Sequence, residues 1–211
     1  MSQVIKDLNW RYATKKFDAD KKVSDEDFTT LLEGLKLTAT SYGLQLMKFV
    51  QVEDKQIRLK LQAAAWGQGQ VVDASHLLVF TAQTDVTVDD IDSYLKNISE
   101  TRGAPLEALS GYGDFMKKAV VQSMPQETKQ AWMAKQTYIA LGNLLNLAAN
   151  MKIDVTPIEG FEPAQFDEIL GLKSQGLAST VVAAIGYRSQ DDATAGALKV
   201  RKTLEELVIK I

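Results

Sequence analysis

The sequence contains no cysteine and one histidine, and it has no apolar run of the about 18 residues that a bilayer span requires. Without cysteine, the chain forms no disulfide, thiolate nucleophile or thiolate metal site. His76 alone cannot build a histidine-rich metal centre, and no GxSxG motif supplies the serine of a hydrolytic triad. The sequence therefore predicts no metal site. If the protein is an enzyme, we expect its chemistry to come from a cofactor.

Charge is nearly balanced, with 24 Lys and Arg against 27 Asp and Glu and a formal net charge of −3. Such a chain has no overall positive field for a polyanion, so nucleic acid is not an expected partner. The first residues lack the oily stretch of a signal peptide, and we expect a cytoplasmic protein with no membrane partner. With 211 residues, 45% of them hydrophobic, the chain corresponds to a single domain over 1–211.

Hydrophobic spacing predicts helices that alternate with short strands. The helices are expected over 2–13, 24–37, 57–64, 87–97, 127–151 and 163–170, and the strands over 47–53, 76–82, 153–157 and 179–187. The strand at 76–82 is apolar nearly throughout, which indicates helices on both faces of a sheet. Repeated glycines between 99 and 125 predict turns within a helical excursion.

Two other segments are unusually apolar. The helix at 127–151 carries apolar residues around most of its circumference, so we expect it to be buried in the core or between subunits. The last five residues, LVIKI, are expected to pair with a sheet edge, either of the same chain or of a partner.

Two basic pairs lie near opposite ends of the chain. Arg11 and Lys15 are four residues apart, so they share a face if the first helix continues through them. Lys199 and Arg201 are two apart, which places them on one side of an extended segment. Because arginine offers a planar fork and lysine a point charge, the two pairs could bind one phosphate. The alternative, which spacing alone favours, is that all four are solvated surface charges.

Glycine motifs for nucleotides are incomplete. Neither GxGxxG nor GxxxxGK[ST] occurs, and the fragments 67–69 and 111–113 are interpreted as turns. Residues 157–161, PIEGF, follow a predicted strand and form a rigid turn whose backbone N–H groups could face a ligand. The alternative for Glu159 is an exposed turn acid. His76 is interpreted as a structural residue.

Six segments, in order over nearly the whole chain, resemble the nitroreductase family of FMN enzymes, especially its oxygen-insensitive NAD(P)H nitroreductase and dihydropteridine reductase branch. The segments are 11–18 (RYATKKFD), 38–49, 67–76 (GQGQ leading into DASH), 132–136 (WMAKQ), 157–161 (PIEGF) and 199–201 (KVR). Each is weak alone, but the ordered set is specific, and it favours phosphate binding over the surface-charge alternative. The resemblance implies an α+β fold, a three-layer α-β-α sandwich with a mixed, mostly antiparallel sheet. It also implies an intertwined homodimer with one FMN in each interfacial site.

The resemblance also assigns roles to residues. Arg11, Lys199 and Arg201 would bind the flavin phosphate, and Lys15 would lie beside the flavin pyrimidine, where a cation favours the reduced state. Backbone groups of Glu159 and Gly160 would face flavin N5. Lys15 and Glu159 are therefore the predicted catalytic residues. The predicted cofactor-binding residues are Arg11, Tyr12, Ala13, Lys15, Thr40, Ser41, Gly43, Gly67, Gln70, Pro157, Ile158, Glu159, Gly160, Lys199 and Arg201.

The segment Thr40, Ser41 and Gly43 would contact the flavin of the other subunit. Relatives commonly have Pro at 39, Asn at 43 and 67, and Pro-Trp at 46–47, where this chain has Ala, Gly, Gly and Leu-Met. Each missing asparagine removes a hydrogen bond of about 0.5–1.5 kcal/mol net, which predicts weaker flavin binding.

The implied reaction is ping-pong hydride transfer from NAD(P)H through FMN to a small-molecule acceptor, either a nitroaromatic or a quinone-like compound. Tyr42, Tyr112 and Phe115 are candidates for lining the acceptor site. Two alternatives are a flavin-binding carrier or sensor without efficient turnover, and another reaction on the same scaffold, such as reductive dehalogenation or flavin fragmentation.

Overall fold

The computed structural model describes all 211 residues, arranged around a four-stranded sheet of order β1-β2-β4-β3. The strands are β1 (Met47–Gln51), β2 (His76–Gln83), β3 (Asp154–Ile158) and β4 (Leu177–Gly186). All three pairings are antiparallel, with Met47 opposite Ala82 and His76 opposite Ile185. The α+β fold is confirmed. The expected parallel component is not found, because each of the three strand pairings runs antiparallel.

Nine α-helices surround the sheet. They are α1 (Gln3–Trp10), α2 (Asp25–Lys36), α3 (Lys55–Ala64), α4 (Gln70–Asp73), α5 (Val88–Arg102), α6 (Ser110–Met116), α7 (Gln126–Asn150), α8 (Pro163–Ile169) and α9 (Leu204–Leu207). Local signals set several starts: the Ser24 side chain accepts from the Asp27 N–H, Thr87 and Asp90 form a capping box, and Pro163 opens α8. None of the helices combines the length and apolarity needed to cross a membrane.

Both faces of the sheet are covered, as the apolar β2 sequence predicts. Leu78 and Phe80 of β2 pack in a cluster with residues of α2 and α7, whereas Leu77 and Val79 pack in a second cluster with residues of α3, α4 and α8. This alternation follows from the opposite directions of successive strand side chains. The result is three layers, helix, sheet and helix.

The excursion forms a third hydrophobic cluster, in which Leu95 of α5 packs with Met116 and Met133. It contains a 3-10 turn (Leu106–Leu109), α6 and a π-helical turn (Lys117–Gln122), and α5 continues five residues beyond the predicted 97. The prediction of a turn at 111–113 is wrong, because these residues lie inside α6. Glycine is needed at 113 for packing: a Cβ there would lie 2.6 Å from Cδ1 of Leu95.

The first helix ends at Trp10, so the expectation that it reaches residue 13 is wrong, and Arg11 and Lys15 do not share a helical face. The following segment runs extended and pairs with the end of β4: Phe17 bridges Arg188, and the Asp18 N–H donates to the Tyr187 carbonyl. The Arg188 guanidinium, ion-paired to Asp154, also stacks 4.3 Å from the Trp10 ring centre. These tertiary contacts override a weak helical pattern.

Helix α7 is buried on one side only. Met133, Ala140 and Leu144 are buried, but Tyr138 and Ile139 are exposed in the single chain. The tail does not pair with a sheet edge of its own chain, which was the first of the two predicted alternatives. Four residues follow α9, and they pair with no strand of this chain. The structure thus leaves two apolar surfaces, the outer side of α7 and the tail, without cover from their own chain.

Candidate functional site

The two basic pairs come together in the fold. Arg11, Lys15, Lys199 and Arg201 line one cavity of about 340 Å³ with Tyr12 and Ala13. We call the space that these residues line the cationic cavity. The Lys199 amine donates to the backbone carbonyls of Arg11 and, at 2.9 Å, Asn9. These carbonyls lie at the end of α1, where helical partners are lacking, so Lys199 ties the C-terminal segment to the first helix.

Positive charge in the cationic cavity is uncompensated. Burial, and then the nearby Arg201, lowers the pKa of Arg11. Burial, followed by Arg11 and Arg201, likewise lowers the pKa of Lys199. The Arg11 Nε is buried and has no hydrogen-bond partner. A buried donor without a partner costs free energy, and so does the repulsion between neighbouring cations. A bound anion of phosphate type would pair the donor and offset the repulsion.

A buried carboxylate that the sequence analysis missed lies beside the cavity. Asp192 accepts hydrogen bonds from the Tyr12 hydroxyl at 2.9 Å and from the Lys15 N–H at 2.8 Å. Burial opposes ionisation of Asp192, but hydrogen bonds from Thr194, Lys15 and Lys16 hold its pKa well below the ordinary value. Burial, and then the hydrogen bond to Asp192, raises the pKa of Tyr12 to about 12. The only sequence signal was an Asp two residues before a Thr, a common turn pattern.

The predicted residues around 67–70 and 157–160 form a second group. The Gln68 side-chain amide donates to the carbonyls of Gly160 at 2.7 Å and Ala65 at 3.0 Å. Gly160 lies close under the exposed Trp66 ring: a Cβ at 160 would lie 2.8 Å from Cζ3 of Trp66, so a side chain there would displace the ring. Gly67 has a φ of +76° and no atom within 4 Å of a Cβ position, so nothing replaces the asparagine of relatives there. Gln70 is buried in α4.

The turn after β3 is held from two sides. The Tyr138 hydroxyl of α7 donates to Glu159 Oε1 at 2.6 Å, and burial followed by this hydrogen bond raises the pKa of Tyr138 to about 12. On the strand itself, where Pro157 and Ile158 end β3, Thr156 donates to the Thr14 carbonyl at 2.7 Å. Since Thr14 adjoins Lys15, this hydrogen bond connects the second group to the cationic cavity.

Thr40, Ser41 and Gly43 form a third group with the predicted acceptor residues. The Ser41 N–H donates to Gln136 Oε1 at 2.9 Å, and Tyr42 lies 6.2 Å from the ring centre of Phe115 in an edge contact. Burial, and then nearby Tyr94 and Tyr42, raises the pKa of Tyr112. Tyr42 contacts Phe115 and Trp132, and Tyr94 and Tyr112 lie nearby; these five residues are called the aromatic group.

The structure explains the glycine at 43. Its φ is +79°, and a Cβ there would lie 2.5 Å from the Tyr94 hydroxyl, so a phenol occupies the space of the side chain that relatives carry. Within one chain, the third group shares neither a hydrogen bond nor a cavity with the cationic cavity.

His76 has structural contacts. Its ring stacks on Phe28 with centroids 3.8 Å apart, and its Nδ1 is 3.0 Å from the Ser75 Oγ. Burial lowers its pKa. The residues described here contain no grouping of acidic or histidine side chains suited to a metal ion.

Comparison with known proteins identifies the family of this chain. The model of the nitroreductase family matches residues 8–187. A Staphylococcus saprophyticus protein named "Putative NAD(P)H nitroreductase" is 37% identical over 217 aligned positions, covering 99% of this chain and 97% of that protein. A Bacillus subtilis protein of the same description is 36% identical, covering 98% and 96%.

Solved structures share the fold. A "putative nitroreductase in complex with FMN" from Exiguobacterium sibiricum superposes with a TM-score of 0.86 at 18% identity, covering 100% of this chain and 98% of that one. A Bacillus subtilis structure described as a "putative nitroreductase" gives a TM-score of 0.86 at 19% identity, covering 98% of both chains. Because the family model covers residues 8–187 and relatives of 36–37% identity span nearly the whole chain, the chain belongs to the nitroreductase family.

Proposed function

We propose that the protein is an FMN-dependent NAD(P)H oxidoreductase that reduces nitroaromatic or quinone-like acceptors by a ping-pong mechanism. The observation that carries the proposal is the convergence of Arg11, Lys199 and Arg201 on one cavity, with the Arg11 Nε buried and unpaired. Relatives named NAD(P)H nitroreductases and a neighbouring fold in complex with FMN support the choice of cofactor and reductant.

The donor set fits a phosphate monoester. Two guanidinium groups and an amine can neutralise a dianion and satisfy its oxygens, whereas no acidic side chain lines the cationic cavity. Tyr12 and Ala13 supply the wall between Arg11 and Lys15. We propose that these residues hold the phosphate end of FMN.

When bound, FMN supplies hydride transfer at N5, from NAD(P)H in one half-reaction and to the acceptor in the other. Lys15 would stabilise negative charge at the pyrimidine edge. The turn at Glu159 and Gly160 would present backbone groups toward the reacting edge, with Gln70 adding a hydrogen bond. The Tyr138–Glu159 hydrogen bond would keep that turn in place.

The aromatic group is the proposed acceptor surface. Tyr42, Tyr112 and Phe115 are partly exposed, and rings that meet edge to face offer a surface on which a planar acceptor can pack. No protein nucleophile takes part in the proposed reaction. The protein would position the reactants and exclude water.

The proposed assembly is a homodimer. The outer side of α7 exposes Tyr138 and Ile139, and the tail exposes Leu204, Leu207 and Ile209. Large exposed apolar side chains of this kind mark contact surfaces when they cluster, and an obligate interface would bury them. Thr40, Ser41 and Gly43 would then reach the flavin of the partner subunit. The cytoplasm, where NAD(P)H is available, is the proposed location.

Absorption spectra of the purified protein test the proposal. We expect a flavin spectrum that bleaches under anaerobic NADPH or NADH and recovers when nitrofurazone or menadione is added. Initial rates at varied reductant and acceptor concentrations should give parallel double-reciprocal lines. Colourless protein that takes up no added FMN would contradict the proposal.

A second candidate function is a flavin carrier or sensor without efficient turnover, which the open space at Gly67 favours. Yellow protein that neither reductant bleaches, and that consumes no NAD(P)H with either acceptor, would support this candidate over the oxidoreductase.

A further inference from the structure

One buried carboxylate connects the two chain segments that form the cationic cavity. Asp192 is 6% exposed and accepts five hydrogen bonds. Its Oδ2 accepts from the Tyr12 hydroxyl at 2.9 Å and from the backbone N–H groups of Lys15 at 2.8 Å and Lys16 at 3.1 Å. Its Oδ1 accepts from the Thr194 N–H at 2.9 Å and hydroxyl at 2.7 Å.

These donors belong to both halves of the cavity wall. Tyr12 and Lys15 lie in the N-terminal segment with Arg11, and Thr194 lies in the C-terminal segment that continues to Lys199 and Arg201. Strand-like contacts bring the segments together only as far as the Ser189 N–H, which donates to the Lys16 carbonyl at 2.9 Å. Beyond residue 189, three contacts connect the segments: the exposed Lys16–Asp191 ion pair, the buried Asp192, and the Lys199 amine on the Asn9 and Arg11 carbonyls. Of these, only Asp192 holds backbone N–H groups of the N-terminal segment.

The sign of its charge makes Asp192 unfavourable as a direct contributor to anion binding. A carboxylate beside a phosphate site repels the ligand, and no part of Asp192 lines the cationic cavity. Asp192 therefore acts by holding the backbone of the two segments in place. Both of its carboxylate oxygens accept hydrogen bonds from the segments that carry the cations.

We propose that Asp192 is the positioning residue of the phosphate clamp, holding the segment with Arg11 and the segment with Lys199 and Arg201 at the separation that a phosphate monoester requires. The inference rests on the proposed FMN site. It adds a residue that contacts neither phosphate nor flavin. A neutral residue at 192 removes a negative charge, which favours FMN binding, but it also loosens the two segments, which weakens FMN binding. The sign of the measured change in FMN affinity therefore distinguishes the two effects.

The test compares FMN with riboflavin, which lacks the phosphate, by flavin fluorescence titration of the full-length apoprotein. In the unsubstituted protein we expect FMN to bind more tightly. Asp192→Asn should weaken FMN binding about tenfold or more. The reason is that the amide hydrogens of Asn would point at hydrogen-bond donors, so the two segments would no longer be held together. Riboflavin binding should change less than about twofold. The ratio of the two affinities is the readout, since general destabilisation would lower both alike.

A matched control is Asp167→Asn. Asp167 of α8 is 8% exposed, accepts from the Ser179 N–H at 2.8 Å and does not line the cationic cavity. We expect Asp167→Asn to lower the melting temperature and to leave the FMN-to-riboflavin ratio unchanged. If Asp192→Asn does not fold, Thr194→Val removes one donor at constant shape and should weaken FMN binding less, in the same direction.

The outcomes separate the two proposals. If the unsubstituted protein binds FMN no better than riboflavin, the phosphate clamp is wrong and Asp192 loses this role with it. If the preference exists and Asp192→Asn, or Thr194→Val in its place, keeps or increases it, the clamp stands and the positioning role of Asp192 is overturned.

Discussion

The cationic cavity and the aromatic group differ in what holds their side chains. In the cavity, Lys199 and Asp192 fix the backbone of two distant segments through hydrogen bonds, and the Arg11 Nε is left buried without a partner. In the aromatic group, Tyr42 meets Phe115 and Trp132 only in edge contacts, and Phe115 is 57% exposed.

The difference indicates that the two regions bind their ligands with different selectivity. Charges held in fixed geometry discriminate strongly, because a ligand without matching charge leaves them unpaired. Exposed rings gain moderate energy from many planar partners and reject few of them. We therefore expect strict recognition of a resident phosphate ligand and broad tolerance of acceptors.

The largest expected effect comes from removing Arg11, whose Nε is buried without a partner. Arg11→Ala should weaken FMN binding by about 10- to 150-fold, because charge-assisted hydrogen bonds contribute about 1.5–3 kcal/mol. Riboflavin binding should change little. Fluorescence titration measures both, with Lys60→Ala, an exposed cation on α3, as the control. Equal losses for the two flavins would place Arg11 away from the phosphate.

Filling the space beside Tyr94 is the next test. Gly43→Asn should lower the free energy of unfolding by about 1–3 kcal/mol through overpacking against the phenol, since Asn itself tolerates the left-handed backbone. In a Tyr94→Ala background the cost should fall. Guanidinium denaturation of the four proteins gives the coupling, and the same cost in both backgrounds would show that Tyr94 does not exclude the side chain.

A smaller effect is expected in the aromatic group. Phe115→Ala should lower kcat/KM for a nitroaromatic acceptor by about two- to tenfold, since an aromatic contact contributes about 0.5–1.5 kcal/mol. FMN affinity and NADPH half-reaction rates should be unchanged, as stopped-flow reduction would show. A loss of FMN affinity equal to that of Arg11→Ala would remove the distinction between the two regions.

The smallest expected effect is the change with pH, near neutrality, of the stabilisation that Asp192 provides. The folded protein keeps this carboxyl ionised to lower pH than the unfolded chain does, so its stabilisation is complete above the unfolded pKa of about 3.9 and declines below it. Urea denaturation should show a constant stability difference between the unsubstituted protein and Asp192→Asn from pH 5 to about 8, shrinking below about pH 4. A difference that changes between pH 5 and 8 would contradict this assignment.

Local patterns predicted much of the fold. The caps at Ser24 and Thr87 and the proline at 163 set helix starts, and the apolar run in β2 indicated its burial on both faces. These features depend on neighbours within a few residues, or on side-chain periodicity. Both are written directly in the sequence.

Site roles divide differently. The sequence order of six segments indicated the cofactor class and the residues of the cationic cavity, and the family is confirmed by comparison. Spacing misjudged Arg11 and Lys15, whose proposed common helical face does not exist, because the pairing of Phe17 with Arg188 draws the segment into an extended form. The individual binding and catalytic roles stay predictions.

By itself, the sequence determined most of the helices and the four strands, and the absence of cysteine and the single histidine limited the kind of chemistry available. Only the tertiary structure decided that residues 11 and 199 would share a cavity, that Asp192 would join their segments, and that Tyr94 would occupy the space beside Gly43. The physical reason is range: propensity and periodicity act over a few residues, whereas burial and hydrogen bonding are set by whatever the fold brings within contact distance.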